Sequence, residues 1–127
     1  TLYARACQAK EVPAGTRIGY GGTFEAARAT RILTLPIGYA DGLPRAAGNK
    51  LEVGHRGRRV PLVGRVSCDL ATVDVGPEAE GEAGDEVLIF GRGRDLEIRV
   101  EELAAAVGTI SYEVLVRIGD RIPRIPA

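Results

Sequence analysis

Thr30-Arg31-Ile32-Leu33-Thr34-Leu35-Pro36-Ile37-Gly38-Tyr39 is the stretch whose character sets the fold class. It is β-branched and apolar, the profile of a buried strand. Proline cannot donate to a sheet ladder, so Pro36 implies an edge position or a bulge. Toward the N-terminus, residues 2–12 alternate in polarity and read as a strand stopped by the turn Pro13-Ala14-Gly15. Residues 24–29 form a short connection. Toward the C-terminus, residues 40–49 are a loop rich in Gly, Pro and Asp. Residues 51–53 and 58–66 flank His55-Arg56-Gly57 as a hairpin, and residues 70–75 alternate cleanly. After an acidic turn region at 76–84 comes a second buried strand at 86–90, and Gly91-Arg92-Gly93 reads as a hairpin turn. One helix is predicted over 100–107, with acids in its first turn and Gly108 as a left-handed stop. Residues 109–118 are compatible with helix or strand, with Thr109 as the cap of a helix, and 121–125 read as a closing strand. Short strands at near-regular spacing predict a mostly β protein, a Greek-key-like closed or partly closed barrel with one or two short helices.

Composition narrows the function classes. The 127 residues predict a single domain large enough to bury a core. Seventeen basic residues balance seventeen acidic ones, which argues against a polyanion or an anionic membrane as partner. No apolar run approaches the roughly 18 residues of a membrane span, so the soluble cytoplasm is the expected location. Cys7, Cys68 and His55 are too few and too scattered for a metal site, and no disulfide is expected. The chain has no methionine, which suggests a piece of something larger. It carries only two lysines, Lys10 and Lys50, so lysine chemistry has few candidates.

Three tyrosines stand in unusual company. Tyr20 lies between glycines in Ile18-Gly-Tyr-Gly-Gly-Thr-Phe24, where the chain leaves one strand and approaches a second. Tyr39 follows in Ile37-Gly-Tyr-Ala-Asp-Gly42 and Tyr112 in Thr109-Ile-Ser-Tyr-Glu113. Each has an ordinary reading. A tyrosine at a strand end more often buries its ring and keeps its hydroxyl at the rim. Ala40-Asp41-Gly42 is more often a simple turn, and Arg45 and Arg65 would normally be solvated charges.

The ordered set is far more specific than its parts. Gly19-Tyr20-Gly21-Gly22-Thr23 is followed by 36–45 (PIGYADGLPR), 61–69 (PLVGRVSCD), 109–115 (TISYEVL) and the ending Arg121-Ile122-Pro123-Arg124. Together these closely resemble the C-terminal domain of bacterial alanine racemase, over nearly the whole chain. The resemblance implies a pyridoxal 5'-phosphate enzyme of two domains that interconverts L- and D-alanine and supplies D-alanine for peptidoglycan. Its N-terminal (β/α)₈ barrel, absent from this chain, would hold the cofactor as a Schiff base on a lysine. Neither Lys10 nor Lys50 has the setting of that lysine, so the chain by itself is expected to be inactive.

By motif position, the resemblance makes Tyr20 the catalytic base, offered to the partner subunit of a homodimer. Cys68 stands where a methionine is usual, at the residue whose backbone N–H binds the substrate carboxylate. Tyr112 matches the tyrosine that meets the cofactor phosphate. Tyr39, Arg45, Arg65 and Ile110 match the corridor by which substrate arrives. Two alternatives stay open: a related pyridoxal-phosphate racemase or decarboxylase-like domain, for which Cys68-Asp69 is suggestive, and a non-enzymatic β-barrel binding module.

Overall fold

The computed structural model describes residues 1–77 and 79–126, and the backbone alone of Tyr20. Ten strands and two helices make up the ordered elements, in the sequence β1 Leu2–Arg5, β2 Gln8–Val12, β3 Arg17–Ile18, β4 Phe24–Glu25, β5 Thr30–Leu35, β6 Glu52–His55, β7 Arg58–Val63, β8 Ala71–Gly76, β9 Glu86–Arg92, β10 Glu97–Ile98, α1 Val100–Val107 and α2 Ser111–Val116. Seven strands form one antiparallel path, β1-β9-β6-β7-β8-β5-β2, with β10 added on β9, while β3 and β4 pair separately.

Strands β1 and β2 end that path on opposite sides, yet only Ala6 and Cys7 separate them in sequence. Three peptide units reach at most about 11 Å. The sheet must therefore curl until its two margins nearly meet. The joining residues bond to both sides: Ala6 N–H donates to Asp85 O at 2.8 Å and Cys7 N–H to Thr34 O at 2.9 Å. The single strand expected over residues 2–12 is thus two strands turning a barrel corner. Leu2, Ala4 and Ala6 face the core while Tyr3, Arg5 and Cys7 face out, and the corner shows in the pattern only as two successive exposed residues, Cys7 and Gln8.

The core is aliphatic. Leu33, Leu35, Val53, Leu62, Val73 and Ile89 are buried inside the curl, and Leu103 and Ala104 of α1 cover one end. β5 is an interior strand between β8 and β2, so Pro36 marks neither an edge nor a bulge; the ladder ends one residue before it. The irregularity in β5 lies at Arg31–Ile32. β6 and β7 form the expected hairpin around Arg56 and Gly57, whose φ of 50° and 76° suit a two-residue turn with both centres left-handed. β9 runs on through Gly91 and Arg92 to pair with β10, and the turn falls at residues 93–96, where Gly93 N–H bonds Leu96 O.

Helix α1 has the predicted bounds, with Gly108 left-handed at φ 77°. Thr109 does not cap α2. Its amide donates to Ala104 O, completing the α1 stop, and Ile110 takes the cap position of α2 without a side-chain bond. Residues 121–125 form no strand. Pro123 lacks a donor, and guanidinium groups tie this segment down instead: Arg124 donates to the carbonyls of Ile118, Gly119 and Ile122.

One polar tie crosses the barrel wall. His55 is fully buried, and its Nε2 lies 2.8 Å from Asp85 Oδ2, which assigns the proton to Nε2. Arg56 bonds the same carboxylate through Nε and Nη2. Burial pushes the Asp85 carboxyl up, but the bonds from His55 and Arg56 outweigh it, and its pKa lies below the ordinary aspartate value. Among the described residues, no helix is long and apolar enough to cross a membrane. Nor does any group of three His, Cys, Asp or Glu side chains form a metal site there. Both cysteines are free and exposed.

Candidate active site

The turn that carries Tyr20 is fixed by backbone packing. Tyr20–Gly22 forms a kinked turn between β3 and β4, with Gly21 (φ 77°) and Gly22 (φ 60°) both left-handed, as the expected passage from one strand to the next requires. Gly19 (φ 84°) lies against Gly64 and Arg65 so closely that a Cβ on it would fall 2.7 Å from the Arg65 nitrogen. No side chain fits there, and L-residues are strained at that φ. The Arg65 guanidinium reaches over the turn, with Nη1 3.4 Å from the point where a Cβ on Gly21 would sit. Asn49 braces the same junction: its Oδ1 accepts the Gly64 N–H at 2.7 Å and its Nδ2 donates to Thr23 Oγ1 at 3.2 Å. The side chain of Tyr20 lies outside the described residues.

Beside this turn opens a cleft of about 300 Å³ lined by Tyr39, Arg45, Arg65, Val66, Ser67 and Cys68. Four of the residues expected in the site therefore meet in one place. Tyr39 is half exposed. Among the described residues, neither Arg45 nor Arg65 has a carboxylate partner, so the cleft presents uncompensated positive charge. A second hollow, of about 400 Å³, shares Arg45 and Arg65 and adds Lys50, extending that cationic surface outward.

Two loops press together along the wall of this cleft. Tyr39 N–H donates to Ser67 O at 3.0 Å and Ala40 N–H to Cys68 O at 2.9 Å. Ser67 closes its own bend by exchanging bonds with Leu70. Among the described residues, the amides of Cys68 and Asp69 donate to no protein acceptor. They are neighbouring donors beside unpaired arginines, an arrangement suited to an anion.

Ile110 and Tyr112 do not line this cleft. Ile110 caps α2 and Tyr112 stands on its first turn, 63% and 75% exposed, with their side chains free to meet something outside this domain. Asn49 was not singled out from the sequence, and Asp41 and Arg121 were quoted in their segments with no role beyond a turn for Asp41. Asp41 is buried. Its Oδ1 accepts Arg121 Nε at 2.5 Å, and its Oδ2 accepts Arg121 Nη2 at 2.6 Å and the Gly38 N–H at 3.0 Å. The Arg121 bonds hold its carboxyl below the ordinary aspartate pKa, against the opposing pull of burial. Their sequence signal was membership of the ordered segments 36–45 and 121–124, which does not say that the two residues pair.

A profile of the family described as alanine racemase, C-terminal domain, matches residues 1–126. The chain belongs to that family. The alanine racemase of Vibrio cholerae is 46% identical over 122 residues, covering 96% of this chain and 33% of its own length. The chain thus spans about a third of the length of the relatives it matches. Among solved structures, alanine racemase from a D-cycloserine-producing Streptomyces lavendulae superposes with a TM-score of 0.91 and 39% identity, over 97% of this chain and 32% of that one. The alanine racemase of Bartonella henselae, with covalently bound pyridoxal phosphate, gives 0.87 and 33%, over 97% and 33%. The mostly β curled sheet with two short helices is the fold of this alanine racemase C-terminal domain family.

Proposed function

We propose that this domain completes the active site of a pyridoxal 5'-phosphate-dependent alanine racemase that makes D-alanine for peptidoglycan in the cytoplasm. The observation that carries the reading is the unengaged Cys68 amide, next to that of Asp69, in a cleft lined by Arg45 and Arg65. An amino-acid carboxylate is the ligand such donors suit, and the Cys68 amide is its seat. A backbone donor is indifferent to the replacement of methionine by cysteine.

The residues present fit the cofactor from one side only. The exposed Tyr112 hydroxyl can donate to a phosphate presented to α2. Lys10, exposed on β2, and Lys50, in an exposed turn, lie outside any enclosed pocket that could hold an imine. The anchoring lysine therefore belongs to the remaining two-thirds of the protein, which we read as a (β/α)₈ barrel. Bound there, the cofactor would stabilise the electron pair left when the substrate Cα–H bond breaks. Tyr20 accepts that proton on one face of the flattened centre, and the lysine serves the other face. A phenol titrates near 10 when unperturbed, so Tyr20 needs cationic neighbours to act at neutral pH. We read those neighbours as lying in the barrel domain. Tyr39, Arg45, Arg65 and Ile110 border the route by which alanine arrives. We read the site as formed between this domain and the barrel of a second subunit, as the family resemblance implies, which makes the enzyme a homodimer.

The purified chain alone is expected to show no racemisation of L-alanine in a coupled D-alanine assay, whereas the full-length protein supplied with pyridoxal phosphate racemises it. Turnover by the isolated chain, or none by the full-length protein, would contradict the reading.

A further inference from the structure

The bidentate Asp41–Arg121 pair has no part in the chemistry above, and its connections lead to the Cys68 amide. Through its carboxylate Asp41 holds the Gly38 N–H and the Arg121 fork, and through its carbonyl it holds the Gly119 N–H at 2.9 Å. One buried residue thus ties the 38–41 turn to the segment at 119–121. The turn in its own right pins two carbonyls, since Tyr39 N–H holds Ser67 O and Ala40 N–H holds Cys68 O. Those two carbonyls belong to the peptide units whose N–H groups are the amides of Cys68 and Asp69. A trans peptide is planar with C=O and N–H pointing oppositely, so fixing the direction of the carbonyl aims the amide. The packing leaves no slack. A Cβ on Gly38 would fall 2.5 Å from both the Asp69 nitrogen and the Cys68 carbonyl carbon, although the Gly38 φ of −151° suits any residue.

We propose that Asp41 and Arg121 are positioning residues that aim the Cys68 and Asp69 amides at the substrate carboxylate. The proposal rests on the alanine racemase reading of the cleft. The carboxylate carries the same charge before and during proton transfer, so its seat contributes equally to both states. Loss of uniform binding raises KM and leaves kcat alone. A residue that merely supports folding would instead reduce the active fraction, lowering apparent kcat at constant KM.

The test uses the full-length enzyme with Arg121→Gln and Arg121→Lys, since the Arg121 side chain is 63% exposed and tolerates exchange. Arg121→Gln should raise KM for both L- and D-alanine about tenfold, the low end for support around a binding group, with kcat changed less than about twofold. Propionate, which keeps the carboxylate and lacks the amine, should weaken as a competitive inhibitor by the same factor. Arg121→Lys, which keeps the charge and loses the fork, should fall between. Asp41→Asn, still able to accept the Gly38 N–H, should repeat the pattern. Variants with lowered kcat and unchanged KM, or a KM that moves without the propionate constant, would overturn the positioning role while leaving the racemase reading intact. Absence of alanine racemisation by the unsubstituted full-length protein would instead remove that reading, and this proposal with it.

Discussion

At position 38 the decisive quantity is space. The backbone conformation there is extended and ordinary, but the bend at 67–69 occupies the volume any side chain needs. Gly38→Ala should therefore destabilise the domain by about 1–3 kcal/mol, the usual cost of overpacking against atoms that cannot move aside. Urea denaturation of the isolated chain measures this, and an unchanged midpoint would show that the loop can yield. Gly15→Ala makes the contrast, since a Cβ at Gly15 (φ 86°) meets nothing within 4 Å and pays only the left-handed backbone term. At this scale the motifs carried much of the site. Tyr39, Arg45, Arg65 and Cys68 were named from their segments and share one cleft. Asp41 was legible only as a turn residue, because its true role depends on an arginine eighty positions away. Sequence spacing cannot reveal such a partner.

Between elements, polar ties hold where the aliphatic core does not reach. Asp85, before β9, joins the fully buried His55 on β6 and Arg56 in the β6–β7 turn. Asp85 and Asp41 both have folded-state pKa values lowered below the ordinary aspartate value. The unfolded chain, titrating near the ordinary value of about 3.9, then binds more protons than the folded one in the window just below it. Stability from both groups is present above that value and is lost as pH falls through their depressed folded pKa values. The melting temperature should therefore drop on acidification below about pH 4, and the drop should be shallower in Asp85→Asn. An equal slope in the variant, followed by calorimetry between pH 2 and 6, would show that this tie is not responsible. Element identities were mostly legible, since β6, β7, β8, β9 and α1 obey local period and turn rules. The failures were boundaries set by distant partners. The corner at Ala6–Cys7 exists because β1 and β2 bond to different strands, and residues 121–125 stay out of the sheet because side chains hold them.

Across the whole molecule, the sheet path begins and ends at strands only two residues apart, and this forces the curl. The curled wall fixes where the loops at 19–22, 38–42 and 64–69 converge, and the cleft lies where they meet. Nothing in local periodicity announces that convergence, yet the ordered motifs that form it identify the family across 1–126. Among the described residues the domain presents two unengaged amides, a cleft with Arg45 and Arg65, and a glycine turn at 19–22 packed against Gly64 and Arg65; in the proposed reading these are half of a reaction centre. The claim on which this account depends is that Tyr20 serves one face of the substrate carbon. It is tested most directly by Tyr20→Phe in the full-length enzyme, following loss of Cα deuterium to solvent separately from L- and D-alanine. Removal from one enantiomer should slow about a hundredfold more than removal from the other, the scale of one positioned acid–base group. Equal slowing of the two enantiomers, or none, would contradict it.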